Sequence, residues 1–594
     1  MFSPKFIRIA QLVVSFVLLA STVKADLDKT RALHAQLTIR DSYLSGIPVL
    51  VRVEVINDNG KIERGLWNAV ATLFVNNPGV TLSKNQVTLY NSLGSTLVKF
   101  TGSGNFTLTA KVNGMEDSRS LTDLAGEPVT SVSGTLAGDS VWSGVIHVTS
   151  DVIVPASRTL TIQPGTLVLI DGVSSGSGGA DIDVFGTIKA LGTVASPVTF
   201  TAFDPAKAWG EIHHDHAAAS TYQYTDITVA GHSPGGGHTG AGPALRPVGS
   251  RIVFDHVCIA DNAGKVMQSS SGSDLTFRNC LWARSVMGPE IEGTALLFED
   301  SWITEMLAPD DSDGIYIRKQ LAQQTCLMKG GVVANVNDDC IDTLGCKLTI
   351  EDQILRDAKD KGVSIYDGEV SINHCLVVGN NKAPEDPTVA TIAAKTNEGL
   401  TAVVNINNTT IVTSRVQGHG DIGIQSHNKT GVKNGTIIYN VNSSIIVATD
   451  PVNVQAPYLA SDIHINYSDV FDEAWAGAGN IDADPIFADP NNGDYHLKSQ
   501  AGRWDANVGR WTKDEVTSPC IDAGDPASPI GLEPFPNGGI INMGAYGGTA
   551  EASKSYFGQP LCETIVAGDI NGDCKVDFKD FAFMAFHWLE YNNP

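Results

Sequence analysis

Between Phe254 and Ile406 the chain repeats itself. An apolar residue, a short polar step and another apolar residue recur in FDHVCI from Phe254, FRNCL from Phe277, FEDSWI from Phe298, MKGGVV from Met328, IEDQIL from Ile350, INHCLV from Ile372 and INNTTI from Ile406. The successive steps are 23, 21, 30, 22, 22 and 34 residues. A period of about 20 to 50 residues marks a solenoid, in which each unit buries its apolar face only by stacking on the next. Each unit carries Phe, Ile, Val and Leu in short alternating runs broken by Gly, Asn and Asp. The units are therefore β-rich, and each reads as one coil of a parallel β-helix.

Stacking aligns residues that lie one coil apart. A second set of side chains rides on the same period, in DSDGIYI from Asp311, NDDCIDT from Asn337 and KDKGVSI from Lys359. The alignment puts Asp313, Asp339 and Lys361 in one column, the strongest candidate for chemistry in the chain.

At 594 residues the chain exceeds one compact core, a limit that a solenoid escapes by growing along one axis. Residues 1–25 read as a secretory signal: Lys5 and Arg8 precede the apolar run IAQLVVSFVLLA, and VKA ending at Ala25 offers a small-residue cleavage site. The alternative is an N-terminal anchor, although the run is shorter than the ~20 residues of a span. No later segment is long and apolar enough to cross a bilayer, so an extracellular or periplasmic location is expected. The net charge of −25 argues against nucleic acid or an anionic membrane as partner. Nine cysteines, all after the signal, permit disulfides in an oxidising compartment, but the odd count leaves one over within a chain. Cys258 and Cys280 lie 22 residues apart and Cys375 takes the slot of Cys280, which favours stacked, buried free thiols.

Residues 26–127 alternate in short runs such as IPVLVRVEVI, AVATLFVNN, NQVTLYN and NFTLTAKV, the pattern of a β-sandwich of immunoglobulin-like size. From Val141, VWSGVIHVTSDVIVPASRTLTIQPGTLVLIDG, with TLTIQPGT at Thr159 its most distinctive part, resembles the entry of secreted bacterial right-handed parallel β-helix (pectin-lyase-like) proteins; SPVTFTA at Ser196 and WGEI at Trp209 continue the likeness. The resemblance implies a right-handed helix over 128–490, with HSPGGGHTGAG from His232 as an exposed Gly-rich excursion. ADPIFADPNNGDYHL from Ala483, SPCIDAGDP from Ser518 and INMGAYGG from Ile541 resemble the closing segment of such proteins, and residues 491–556 are expected to cover the open end of the helix.

Residues 557–594 carry a separate signal. GDINGDCKVDFKDFAFMAFHWLE puts Asp569, Asn571, Asp573, Asp577 and Asp580 at positions 1, 3, 5, 9 and 12 of an EF-hand-type loop, with the Lys575 carbonyl at position 7. Hard Ca²⁺ takes six to eight oxygens, and this spacing can wrap them round one ion before the apolar stretch DFAFMAFHWL. The unit resembles one half of a dockerin, which implies a cohesin-type scaffold protein as partner. Two features depart from that pattern: Cys574 stands at the usual glycine position, and one loop is present instead of two. Cys562, twelve residues earlier, is placed to pin the unit by a disulfide.

DSDGIYI and NDDCIDT also resemble two active-site strings of the polygalacturonase-type glycoside hydrolases. Carried over by position, Asp313 and Asp338 would activate water and Asp339 would be the general acid. Such an enzyme needs one carboxyl protonated and one ionised, and clustered like charges raise a pKa to that end. The third coil departs from the family, with Asp360, Lys361 and Gly362 in place of Gly-His-Gly; the GHG at Gly418 comes too late. Lysine there suggests a polysaccharide lyase, in which Lys361, helped by Arg318 or Lys395, would be the base while Asp338, Asp339, Asp342 and Asp360 hold Ca²⁺. The surrounding acids would raise the lysine pKa, against that role, unless a cation reversed the field.

EIHHDH offers His213, His214 and His216, the last two on one face by alternation and so a weak Zn²⁺ candidate. Trp282, Trp302 and Tyr316 fall on adjacent coils; Trp302 and Tyr316 are candidates to stack sugar rings, as Arg318 and Lys395 are to bind substrate. The expectation is an all-β, secreted protein that acts on an extracellular polysaccharide. It would hydrolyse first, eliminate second, and otherwise serve as a display or adhesion scaffold.

Overall fold

A computed structural model describes residues 32–309, 311–382, 389–413, 421–428 and 435–558, with 568, 576, 578 and 580–582. The expected signal and most of the calcium loop (Asp569, Asn571, Asp573, Lys575 and Asp577), with Cys562 and Cys574, lie outside the described residues. Asp580 is described and buried.

From Val129 to Phe471 the chain is a parallel β-helix, 36 strands each paired with the strand one coil away. Its registers reproduce the sequence repeat. Phe254 faces Phe277, Phe277 faces Phe298, Phe298 faces Met328, Met328 faces Ile350, Ile350 faces Ile372 and Ile372 faces Ile406. All seven are fully buried in one continuous core. The reason is geometric: parallel pairing stacks like on like, so one apolar position per coil becomes a column inside the helix.

Each coil has three faces. In one turn of the helix these are Asp274–Arg278, Leu281–Ala283 and Met287–Glu292. Single residues in the left-handed conformation make the corners. Between the first and second faces stand His256, Asn279, Asp300, Asp352, His374 and Asn408, with φ between 43° and 54°, and Gly330 at 74°. Asn, Asp and Gly tolerate this conformation best, which explains the punctuation between the apolar runs. The next residue turns inward and knits the coils: Cys280 N–H donates to Ser301 Oγ, Cys375 N–H to Thr409 Oγ1 and Thr409 N–H to Ser444 Oγ. Cys258 is out of that slot. It faces Leu281 and points outward, with Arg52 Nη1 at 3.6 Å. All seven described cysteines are free and buried.

The second face is covered. Residues 33–123 form a nine-stranded, almost wholly antiparallel sheet with its own core around Leu37, Val53, Leu73, Phe100 and Leu108. Leu50 and Leu93 of that sheet pack on Ala260, Leu281, Ala283, Trp302 and Val332 of the helix. Arg356, fully buried, crosses the junction: Nε donates to Asn91 at 2.8 Å, Nη2 to Asn68 at 2.9 Å and to the Trp67 carbonyl, and the guanidinium lies 4.2 Å from the Trp67 ring. The closing segment continues this cover, with the Ala545 N–H on Thr410 and Met543 and Leu497 against Ile445 and Val447. It thus flanks the late coils, while Trp475 packs against the helix core.

Candidate functional site

The acids lie at the start of third-face strands. Strands Ile315–Arg318 and Ile341–Glu351 pair with Ile315 facing Ile341, and Ile341 faces Val363 on the next coil. Asp313, Asp339 and Lys361, two residues before each, therefore stack as the repeat predicts. The column is stitched by its own carboxylates: Asp339 N–H donates to Asp313 Oδ1 at 3.3 Å, and Lys361 N–H to Asp339 Oδ1 at 2.8 Å.

Further acids crowd this column. One oxygen each from Asp313, Asp338 and Asp339 falls within 4.8 Å of the others, and so do His238, Asp313 and Asp342. Asp313 Oδ2 and Asp342 Oδ1 are buried without a hydrogen-bond partner among the described residues. Burial, then Asp342, Asp339 and Asp338, hold the Asp313 carboxyl well above its usual range. Burial, then Asp339 and Asp360, push Asp338 up to about 8; burial and Asp339 push Asp342 to about 6. Burial pulls the Lys361 ammonium down, but Asp339 and Asp360 outweigh it and the net shift is upward. Its Nζ lies 2.6 Å from Asp360 and 3.5 Å from Asp339. Lys361 is thus a held cation, in an environment that opposes the role of base.

His238 belongs to this site, although its sequence position far from the acids hides it. The Gly-rich excursion lies along the third face as a strap. Arg246 Nη2 donates to the Pro234 carbonyl, Lys265 Nζ to the Gly236 carbonyl at 2.6 Å, and the His238 N–H to Glu290 at 3.3 Å. The imidazole then lies 3.1 Å from Asp311 and 3.6 Å from Asp313, with its ring 4.6 Å from that of Tyr316. Gly237 makes this approach possible: its φ is 73°, and a Cβ there would sit 2.2 Å from a Glu290 oxygen. The only sequence signal was a histidine inside a glycine run long enough to reach other coils.

Other candidates separate. Tyr316 is on the third face, directly before Asp342 in the coil register, and nearly buried. Arg318 bridges Glu290 at 2.9 Å and Glu292 at 2.8 Å, so its charge is already taken. Lys395 stands one coil beyond Tyr366, with Nζ 5.5 Å from that ring. Trp302 leaves the site altogether. It is 1 % exposed beneath the N-terminal sheet, its indole N–H donating to the Tyr90 carbonyl at 2.9 Å. A Trp two residues after the corner at Asp300, at the start of a second-face strand, points outward, and outward there means into the junction. Trp282 packs in the helix core between Phe277 and Phe298. The histidine pair is also divided. His214 is buried against the Tyr222 hydroxyl at 2.8 Å, and burial lowers its pKa to about 3. His216, at φ 47°, breaks the alternation and turns to Asp215.

The sequence family described as "Disaggregatase related" matches residues 463–524, the last coil and part of the closing segment. No curated protein matches the chain. Among solved structures, pectate lyase Pel9A is similar at 12 % identity and a TM-score of 0.29, over 66 % of this chain and 88 % of that one. The catalytic unit of a thermostable GH87 α-1,3-glucanase from Streptomyces thermodiastaticus strain HF3-3 is similar at 11 % identity and a TM-score of 0.27, over 75 % and 96 % of the two chains. Superpositions this loose carry no assignment of activity.

Proposed function

We propose that this protein cleaves glycosidic bonds in an extracellular polysaccharide by hydrolysis, with Asp313, Asp338 and Asp339 as the working groups. The observation that carries this reading is the packing of three carboxyls from two adjacent coils within 4.8 Å. Glycoside hydrolysis needs one carboxyl to protonate the leaving oxygen and another to take the proton of the attacking water. Crowded carboxyls supply both states, because they cannot all ionise together. The resemblance gives the acid role to Asp339. The electrostatics favour Asp338, which is raised to about 8 and is half-buried at the rim, whereas Asp339 is held from behind by the Lys361 amide and ammonium. In that assignment Asp338 gives its proton to the glycosidic oxygen and Asp339 accepts the proton from water, while Asp313, whose burial and acidic neighbours favour the protonated form, holds Asp339 from the coil before through the Asp339 backbone N–H.

The same crowding supports a second reading, cation-assisted β-elimination on a polyuronate. Asp338, Asp339, Asp342 and Asp360 are oxygen donors of the type a hard Ca²⁺ takes, and such an ion would neutralise the uronate carboxylate. The paired, upward-shifted Lys361 weighs against it as the base. The signal-like N-terminus supports secretion, and the calcium loop supports attachment to a cohesin-type scaffold. Among the described residues no helix is long and apolar enough to cross a membrane.

The test is incubation of the purified protein with neutral and acidic polysaccharides, first with Ca²⁺ and then with EDTA. New reducing ends and the ultraviolet absorbance of unsaturated uronate are followed together. Reducing ends without absorbance support hydrolysis; both signals move the chemistry to elimination; silence across the panel refutes cleavage.

A further inference from the structure

The third face has a second recess, on the coils before the acids. An open pocket of about 200 Å³ lies among Arg246, Gln268, Ser270, Glu290, Glu292 and Arg318. Gln268, Glu290, Tyr316 and Asp342 follow one another in a single outward column. Three coil steps of about 4.8 Å set Gln268 roughly 14 Å from Asp342 along the helix axis. The strap joins the two places, touching Arg246, Lys265, Glu290 and Asp313 in turn. It thus runs from the residues of the pocket to those of the acidic column.

We infer that this pocket is a binding subsite for a neutral, hydroxyl-rich sugar of the glycan chain, an inference that rests on the hydrolase reading and narrows its substrate. The reason is the state of the cations. Arg246 Nε donates to both oxygens of Glu211, at 2.8 and 2.9 Å, and its Nη1 donates to Gln268 at 3.1 Å. Arg318 is shared between Glu290 and Glu292, Lys265 lies 2.5 Å from Glu290, and Lys319 is 3.1 Å from Glu292. No guanidinium remains to take a uronate carboxylate, which would also meet Glu290 and Glu292 on the wall and a chain of net charge −25. Hydroxyls meet no such penalty. Gln268, Ser270 and Glu292 line the pocket and carry the amide, hydroxyl and carboxylate groups that hydroxyls pair with.

The experiment uses the full chain carrying Asp339→Asn, so that binding is read without turnover. Xylo- and cello-oligosaccharides are titrated against it by calorimetry beside oligogalacturonides. Gln268→Ala, which removes one neutral hydrogen-bonding group, is expected to weaken neutral binding by about 3- to 10-fold. Ser270→Trp, which fills the pocket, is expected to abolish it, with a melting temperature matching the parent as the check on folding. Oligogalacturonides are expected to bind at least tenfold more weakly than the neutral series. Preference for the uronate, neutral binding unchanged in both variants, or no neutral binding at all would each overturn the inference. Cleavage of neutral glycans by the unmutated chain, with binding unaltered in the variants, removes the pocket and leaves the hydrolase. Pocket-dependent binding with no cleavage by the unmutated chain does the reverse.

Discussion

Replacing Asp338 by Asn is expected to make the protein more stable while removing its activity. The Asp338 carboxyl is raised from 3.8 to about 8, by burial first and then by Asp339 and Asp360. Between those two values the folded state binds more protons than the unfolded chain, so stability falls as pH rises through the window. Below about pH 4 both states are protonated and nothing is lost; above about pH 8 both are ionised and the full cost is present. One unit of pKa is worth about 1.4 kcal/mol, so the shift corresponds to on the order of 5 kcal/mol for an isolated, fully buried group. Asp338 is half-buried at the rim and its neighbours share the protons, so ~1–3 kcal/mol is the gain expected for the Asn variant near pH 8. Urea unfolding, followed by circular dichroism in EDTA between about pH 5 and 8, measures it. The unmutated chain should lose stability steadily across the interval, and the variant should lose less. Parallel curves, or a variant less stable at the alkaline end, would show that the neighbours do not oppose this charge. Repeating the series in Ca²⁺ locates any ion: one that stabilises the unmutated chain more than the variant is held by these acids.

Asp339→Asn and Asp313→Asn are each expected to lower cleavage by about 10²- to 10⁴-fold with an unchanged circular dichroism spectrum, measured as reducing ends on the best substrate of the panel. Arg356→Met should loosen the N-terminal sheet from the helix. It leaves the Asn68 and Asn91 side-chain oxygens without their donor at a buried junction, while Asp357 keeps Lys382, a loss of ~1–3 kcal/mol that calorimetry would show as a new early transition, with cleavage retained below it. In the terminal loop, Asp569→Ala with Asp573→Ala should remove one equivalent of Ca²⁺ from the titrated stoichiometry; unchanged stoichiometry would take the ion elsewhere.

The fold was legible because one physical rule, stacking of like on like, writes itself into spacing. The steps from Phe254 to Ile406, including the irregular 30 and 34, are the strand registers themselves. The column of Asp313, Asp339 and Lys361 followed from the same rule. What the repeat cannot encode is what lies against its outside. Trp302 read as a sugar platform because it falls on a coil adjacent to that of Tyr316, and nothing in its own coil says that the sheet of residues 33–123 covers that face. His238 was invisible as a partner of Asp313 for the converse reason: a glycine-rich excursion has no period, so its contacts with later coils leave no mark in spacing. His214 failed as a metal ligand because one left-handed residue, His216, turned the strand's alternation aside.

The three faces handle charge differently, and that difference bears on function. On the first face, opposite charges and amides pair from coil to coil, as Arg278 with Glu299, Lys329 with Glu351 and Asn373 with Asn407. At the covered second face, Arg52 and Arg356 find acceptors on both sides of the junction. The third face pairs opposite charges on its earlier coils, as Arg318 with Glu292, but crowds acids around Asp313 and Asp339, and the fold does not require it. Asp342 is followed in its own column by Ser364 and then Ala393, so the backbone there accepts a hydroxyl or a methyl group. A position that tolerates a neutral residue yet holds a carboxyl pushed up to about 6 carries a cost that architecture does not explain. Asp342→Ala is therefore expected to leave the helix intact, to raise its stability above about pH 6 and to impair cleavage, read by urea unfolding and reducing-end assay on one preparation. If stability and cleavage were both unchanged, Asp342 would be an ordinary polar rung, and the site would shrink to the column of Asp313, Asp338 and Asp339.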